Sequence, residues 1–225
     1  MPIFHPEDRA RAIIDARLAE AGWVVQSREQ MNLGAALGVA VREFATEAGP
    51  VNYALFVNRT LCGVIEAKPE GTTLSGFSEQ AARYIAGAPP HLVRREGRVR
   101  FEYVASSAEI LFSDHLDPAP RSRPVFFFHR PERLRHWLDN PPTLRARLQT
   151  MPPLIAADLR ACQIDAVNAL EASLAADRPR TLIQMVTGVG KTYAACTFSH
   201  RLLEHAKFRR ILFLADRANL GSMPK

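Results

Sequence analysis

Val51-Asn52-Tyr53-Ala54-Leu55-Phe56-Val57, then Asn58-Arg59-Thr60, then Leu61-Cys62-Gly63-Val64-Ile65-Glu66-Ala67-Lys68 sets the architecture of the first half of the chain. Both apolar runs read as strands, and three residues between them suit a hairpin, although glycine is absent where such turns favour it most. If Val57 pairs with Leu61, counting back along both strands sets Asn52 opposite Glu66. Strand side chains alternate faces, so Lys68 shares the face of Glu66, and directly opposed residues have Cβ atoms about 4.5–5.5 Å apart. Three polar side chains then converge at one end of an apolar hairpin. Lysine is scarce: only four of the 29 basic residues are lysine, so Lys68 is not one of many interchangeable surface charges.

Outward from the hairpin, Pro6 to Ala21 carries Ile13, Ile14, Leu18 and Ala21 at helical spacing, and Gly22 ends that helix. Further strands are expected at Arg100–Ala105, Ile110–Ser113 and Pro124–His129, with a helix at Phe77–Ala88 and a short one from Pro131 to Leu138. Eight of the sixteen prolines fall between Pro118 and Pro153. Long regular elements should not cross Pro141-Pro142 or Pro152-Pro153, so the first unit is expected to cover residues 1–140, with a connection at 141–158 and a second unit at 159–225.

The second unit should open with a helix, Ala157 to Ala175. A strand, Thr181–Val186, follows, then Thr187-Gly188-Val189-Gly190-Lys191-Thr192, the helix Lys191–His205 and the strand Arg210–Ala215. Strand, glycine loop and helix are the context of a phosphate-binding loop. Glycines admit close approach of backbone N–H groups, the helix N-terminus favours an anion, Lys191 reaches the β/γ-phosphates of ATP and Thr192 holds Mg²⁺.

A length of 225 residues suits two units, and 47% hydrophobic with 23% charged residues describes a globular chain rather than a disordered one. The net charge of +6 favours a polyanionic partner such as nucleic acid, although basic surfaces also serve membranes and solubility. Cys62, Cys162 and Cys196 form no C-x-x-C and are odd in number, which suggests neither zinc nor a disulfide framework. No stretch reads as a signal core or approaches the roughly 18 apolar residues of a membrane span, so a cytoplasmic protein is expected.

Asn52, Glu66 and Lys68 resemble the PD-(D/E)xK nuclease site, in which the first residue is ordinarily aspartate. Gly49-x-x-Asn52 to Val57, Gly63 to Gly71 and the pair Gln80-x-x-x-Tyr84 closely resemble the nuclease domain of type I restriction enzyme motor (R) subunits. Glu7, Arg11, Asp15 and Ala21-Gly22-Trp23 match the opening of that family. The resemblance implies Mg²⁺ on the two acidic positions, a lysine that positions or activates the attacking water, and Gln80 and Tyr84 orienting DNA or the lysine. Asparagine in place of aspartate removes one negative charge, so weakened metal binding at Asn52 and largely lost cleavage are expected. Glu7 is placed to touch the site, Arg11 is either a structural pair or a phosphate contact, and Asp15 is expected on a solvated helix face.

Met185 replaces the first glycine of the phosphate loop, a variation typical of superfamily 2 helicases. Leu159-Arg160-Ala161-Cys162-Gln163 resembles the element of those proteins that reads adenine, with Gln163 as the base contact. Ile211 to Arg217 resembles their strand and DNA-contacting motif, with Arg217 on DNA. Phe126-Phe127-Phe128-His129-Arg130-Pro131-Glu132 resembles the segment that joins nuclease and motor domains in type I R subunits, and outside that likeness His129 reads as a satisfied structural histidine. The expected fold is α/β, a PD-(D/E)xK-like domain followed by an incomplete RecA-like domain. The Walker B acidic pair, arginine finger and second RecA-like domain lie beyond Lys225 in that family, so translocation is not expected of this chain alone. The implied partners are double-stranded DNA and the methyltransferase (M) and specificity (S) subunits of a type I restriction-modification complex. The alternative is a non-catalytic DNA-binding or assembly protein docking on those subunits.

Overall fold

The computed structural model describes residues 6–46, 49–72, 74, 99–178 and 180–214 and, for residues 6–9, the backbone alone. The chain divides into two compact units, Met1–Pro141 and Pro142–Lys225.

The first unit opens with helix α1, Pro6–Glu20, whose Ala10, Ile14 and Leu18 recur every fourth residue and are buried. It stops in a glycine cap. Gly22 takes φ +88°, the Gly22 N–H donates to the Ala19 carbonyl at 2.9 Å, and the Trp23 N–H donates to Leu18 at 3.0 Å. Seven strands follow: β1 (Val24–Gln26), β2 (Gly38–Thr46), β3 (Gly49–Val57), β4 (Thr60–Ala67), β5 (Phe101–Ala105), β6 (Ile110–Asp114) and β7 (Arg123–Val125). They form one mixed sheet in chain order, parallel at β1–β2 and β4–β5 and antiparallel elsewhere. Helix α2, Pro131–Asp139, packs Leu134 and Leu138 with Ile14, Leu18, Tyr53, Ile65 and Phe112 on one side of the sheet. Val39, Val41, Ala54, Phe56, Val64 and Val99 make a core on the other.

β1 and β2 are absent from the sequence reading. β1 is three residues long, below the length at which alternation can be recognised, and in β2 the alternation is broken at Glu43, which takes φ +47°. At the other end of the expected pattern, β7 stops at Val125 rather than His129. Phe126 and Phe127 bend away before the chain turns inward at Phe128.

The hairpin tip also differs from expectation. Val57 pairs with Thr60, so the turn is the two residues Asn58-Arg59, both in the left-handed region at φ 50° and 65°. Asparagine tolerates that conformation, which accounts for a tight turn without glycine. A bulge follows: Phe56 pairs with Leu61 but Leu55 with Gly63, leaving Cys62 as the extra residue. The slip of one at the tip is thereby cancelled, and Tyr53 pairs with Ile65, the register the sequence reading required.

The second unit contains α3 (Leu144–Gln149), α4 (Ala161–Ala175) and α5 (Lys191–Glu204). α3, inside the stretch expected to be connection, is capped by Thr143, whose Oγ1 accepts from the Ala146 N–H at 3.2 Å. α4 begins at Ala161 rather than Ala157, after Asp158 at φ +67°. Arg201 on α5, 6% exposed, forks onto Glu171 of α4 at 2.6 and 2.9 Å and donates to the Pro152 carbonyl at 2.6 Å, tying the proline pair to both helices. Residues 181–186 and 210–214, expected as strands, pair with nothing among the described residues. A strand exists only through a neighbouring ladder, and here Leu182, Val186, Leu212 and Leu214 are exposed instead of sandwiched. The expected helix Phe77–Ala88 lies outside the described residues.

Candidate functional site

In the first unit, the pairing of Tyr53 with Ile65 carries Asn52 to the level of Glu66. Glu66 and Lys68 pair with each other there, while Asn52 turns to the backbone of β4. Lys68 Nζ donates to Glu66 Oε1 at 2.9 Å, with side-chain exposures of 31% and 13%. Asn52 Oδ1 accepts from the Ala67 backbone N–H at 2.8 Å, doing the work of a strand carbonyl across the hairpin. The Lys68 N–H donates to the Ala105 carbonyl at 2.8 Å, which extends the parallel β4–β5 ladder and fixes the base of the lysine.

This donor set does not fit a divalent cation as it stands. Mg²⁺ and Mn²⁺ are ordinarily held by one or two carboxylates free to face them, with waters filling the rest of the shell. One carboxylate, already held by an ammonium, and one amide oxygen already accepting a backbone proton do not supply such ligands. Among the described residues no three His, Cys, Asp or Glu side chains gather as a metal site. Gln80 and Tyr84 lie outside the described residues, and of Glu7 only the backbone on α1 is described.

Asp15 is a correction to the sequence reading. It is not on a solvated face: its carboxylate accepts from Arg42 Nη2 at 2.6 Å, Arg42 Nε at 3.1 Å and the Tyr53 hydroxyl at 2.9 Å. Burial, followed by the Asp15 charge, pushes the Tyr53 phenol well above its ordinary range and keeps it a proton donor. Of the two roles open to Arg11 the structure shows the pair, with Nη2 2.7 Å from Glu43 Oε1. His129 is the satisfied histidine of the sequence reading. Its Nδ1 lies 2.7 Å from the Tyr103 hydroxyl, Phe112 and Trp137 flank its ring, and burial lowers its pKa to about 4.

One polar residue escaped notice in the sequence. Glu102, 1% exposed, sits on β5 two residues before Val104, the parallel partner of Glu66, and alternation puts both carboxylates on the same face. Its Oε2 is 2.9 Å from His115 Nε2, and its Oε1 has no hydrogen-bond partner among the described residues. The signal in the sequence was a lone acid within the otherwise apolar Phe101-Glu102-Tyr103-Val104.

In the second unit, Gly188 and Gly190 take φ +85° and +83°, and Gly190 caps α5 in the left-handed region with no side-chain cap. The first-turn N–H groups are therefore left to an outside acceptor. Gln163, 4% exposed, is fully engaged: Oε1 accepts from the Arg160 N–H at 2.9 Å, and Nε2 donates to the carbonyls of Val189 at 2.9 Å and Gly190 at 3.2 Å. In a planar trans peptide, N–H and C=O point opposite ways, so the N–H groups of Gly190 and Lys191 face away from Gln163. Arg160 Nη1 donates to the Gly188 carbonyl at 3.2 Å. Lys191 is exposed, Thr192 is half-buried one residue into α5, and Thr187 is exposed before the loop. Arg217 lies outside the described residues.

Residues 156–223 match the family described as "Type III restriction enzyme, res subunit". The chain is 27% identical to the "Type I restriction enzyme EcoKI endonuclease subunit" of Escherichia coli (strain K12), over 96% of its own length and 23% of that protein's. It is also similar to a fragment structure of an HsdR-type subunit of a type I restriction enzyme from Vibrio vulnificus YJ016. That likeness has 23% identity and a TM-score of 0.43, over 92% of this chain and 39% of that one. The chain thus resembles a type I restriction endonuclease subunit along almost its whole sequence, with a helicase-like res segment in its second unit, and spans about a quarter of the curated relative it matches. Among the described residues no helix is long and apolar enough to cross a membrane.

Proposed function

We propose that this chain is a DNA- and ATP-binding polypeptide of the type I restriction R-subunit kind, in which a PD-(D/E)xK-like scaffold has lost its cleavage competence. The observation that carries this reading is the bond from the Ala67 N–H to Asn52 Oδ1, beside the closed Glu66–Lys68 pair. An aspartate at position 52 would satisfy the same N–H with one oxygen and present the other, with a full charge, to a cation. Asparagine has no second oxygen to present. In the second unit, the N–H groups of Gly190 and Lys191, the ammonium of Lys191 and the hydroxyl of Thr192 are the groups that would hold a nucleotide triphosphate and its Mg²⁺. Bound Mg²⁺ would neutralise phosphate charge there. Double-stranded DNA and the M and S subunits are the partners this reading implies, and the cytoplasm is its compartment.

The test is calorimetric titration with Mn²⁺ of the protein, of Asn52→Asp and of Glu66→Ala. Binding by Asn52→Asp alone is expected. Binding by the unaltered protein that Glu66→Ala abolishes would overturn the reading, and DNA cleavage would then be assayed directly. Absence of binding by all three proteins would favour the assembly role, in which the domain docks on restriction-modification subunits without chemistry.

A further inference from the structure

We propose that Phe126 and Phe127, with the arginines around them, form a stacking platform for single-stranded nucleic acid. The two rings are 93% and 75% exposed, in consecutive positions. Loose packing does not explain this, because both flanks are anchored. Val125 pairs with Ile110 at the end of β7. Phe128, 3% exposed, meets Tyr103 edge-on at 5.4 Å. His129 bonds Tyr103 through its ring, and its carbonyl accepts from Trp23 Nε1 at 3.0 Å. The bend between a strand and this anchored histidine therefore holds the pair of rings out into solvent. Rings presented on a fixed backbone lose little conformational freedom when something stacks on them.

Charge identifies the occupant. Between residues 121 and 135 there are five arginines and one glutamate. Arg123 and Arg130 are exposed on either side of the two rings, and Arg123 is steadied by the Phe112 ring beneath its guanidinium at 5.3 Å. A protein partner that buried both rings would also desolvate these guanidinium groups and would need matching acids. A nucleic acid brings both complements at once: flat base faces for the rings and phosphates for the arginines. It must be single-stranded, because bases within a duplex are stacked on each other and offer no free face. The platform follows β7, three strands along the sheet from β4, and does not depend on the reading of the Glu66–Lys68 site.

The test is fluorescence anisotropy on the full chain with a labelled twelve-base oligothymidine and with a duplex of the same length. Three proteins are compared: unaltered, F126A/F127A and Phe127→Trp. Both positions are exposed, so the substitutions leave folding intact, which circular dichroism checks. Single-strand affinity is expected to fall about tenfold or more in F126A/F127A, with duplex affinity unchanged. In Phe127→Trp the new indole fluorescence should be quenched by the single strand, the signature of direct stacking. Unchanged single-strand affinity in F126A/F127A, or an equal loss for both nucleic acids, would overturn the proposal. So would a sedimentation result in which the unaltered protein self-associates and F126A/F127A does not, since a second copy of the chain would then be the occupant.

Discussion

Gln163→Ala separates two roles for a glutamine that the sequence presents as an adenine contact and the structure places as the clamp of a loop. The substitution removes three hydrogen bonds. Losing Oε1 leaves the Arg160 N–H at the start of α4 without its partner, a capping contribution of about 1 kcal/mol. Losing Nε2 frees the carbonyls of Val189 and Gly190, each bond contributing about 1 kcal/mol net because the half-buried loop can rehydrate. The sum, about 3 kcal/mol, is divided between the helix start and the loop. If about 2 kcal/mol of it bears on the loop, nucleotide affinity falls by about thirtyfold, since every 1.4 kcal/mol is a factor of ten. The important feature is that the loss is indifferent to the base, because what is lost is the orientation of the Gly190 and Lys191 N–H groups. Titration of the protein and of Gln163→Ala with ATP, GTP and inorganic triphosphate, followed by calorimetry, should therefore show parallel losses for all three ligands. Amide exchange at residues 188–191 should accelerate in the absence of any nucleotide. A loss confined to ATP, with GTP and triphosphate unaffected and loop exchange unchanged, would refute the clamp and restore Gln163 as a base reader.

Arg201→Ala strands the half-buried Glu171 carboxylate and the Pro152 carbonyl. A destabilisation of about 3–5 kcal/mol is expected, read as lost amide protection in α4 and α5 while the strands of the first unit keep theirs. Replacing both partners, Arg201→Met with Glu171→Leu, should restore much of the protection. Gly38→Ala would drive a methyl group into Cγ and Cβ of the rigid Pro131 ring, and should cost the first unit about 1–3 kcal/mol in urea unfolding. His129 sets a pH dependence. Its folded pKa of about 4 lies below the ordinary 6.5, so the unfolded chain takes up a proton first as pH falls. The stability it supports is whole above pH 6.5, declines between 6.5 and 4 by up to about 3 kcal/mol, and is flat below; His129→Gln should flatten that decline when unfolding is followed by fluorescence of Trp23 and Trp137.

Features that rest on short-range periodicity and residue chemistry could be read from the residues alone. The α1 repeat ending at Gly22, the apolar hairpin, the shared face of Glu66 and Lys68, and a glycine loop opening a helix at Lys191 follow from rules that act within a few residues. Tertiary structure decided the rest because those outcomes depend on groups far apart in the chain. The hairpin illustrates the division: Asn58-Arg59 make a tighter turn than their spacing suggested, and only the bulge at Cys62 returns Asn52 to the level of Glu66. Asn52 spends its oxygen on Ala67, fifteen residues away, and Gln163 spends its amide on a loop more than twenty-five residues on. Asp15 looks solvent-facing on a helical wheel until Arg42 and Tyr53 arrive from the sheet. The apolar runs at 181–186 and 210–214 show the opposite case. Their composition suits strands, but a strand is a property of a ladder rather than of a segment, and among the described residues no neighbour pairs with them.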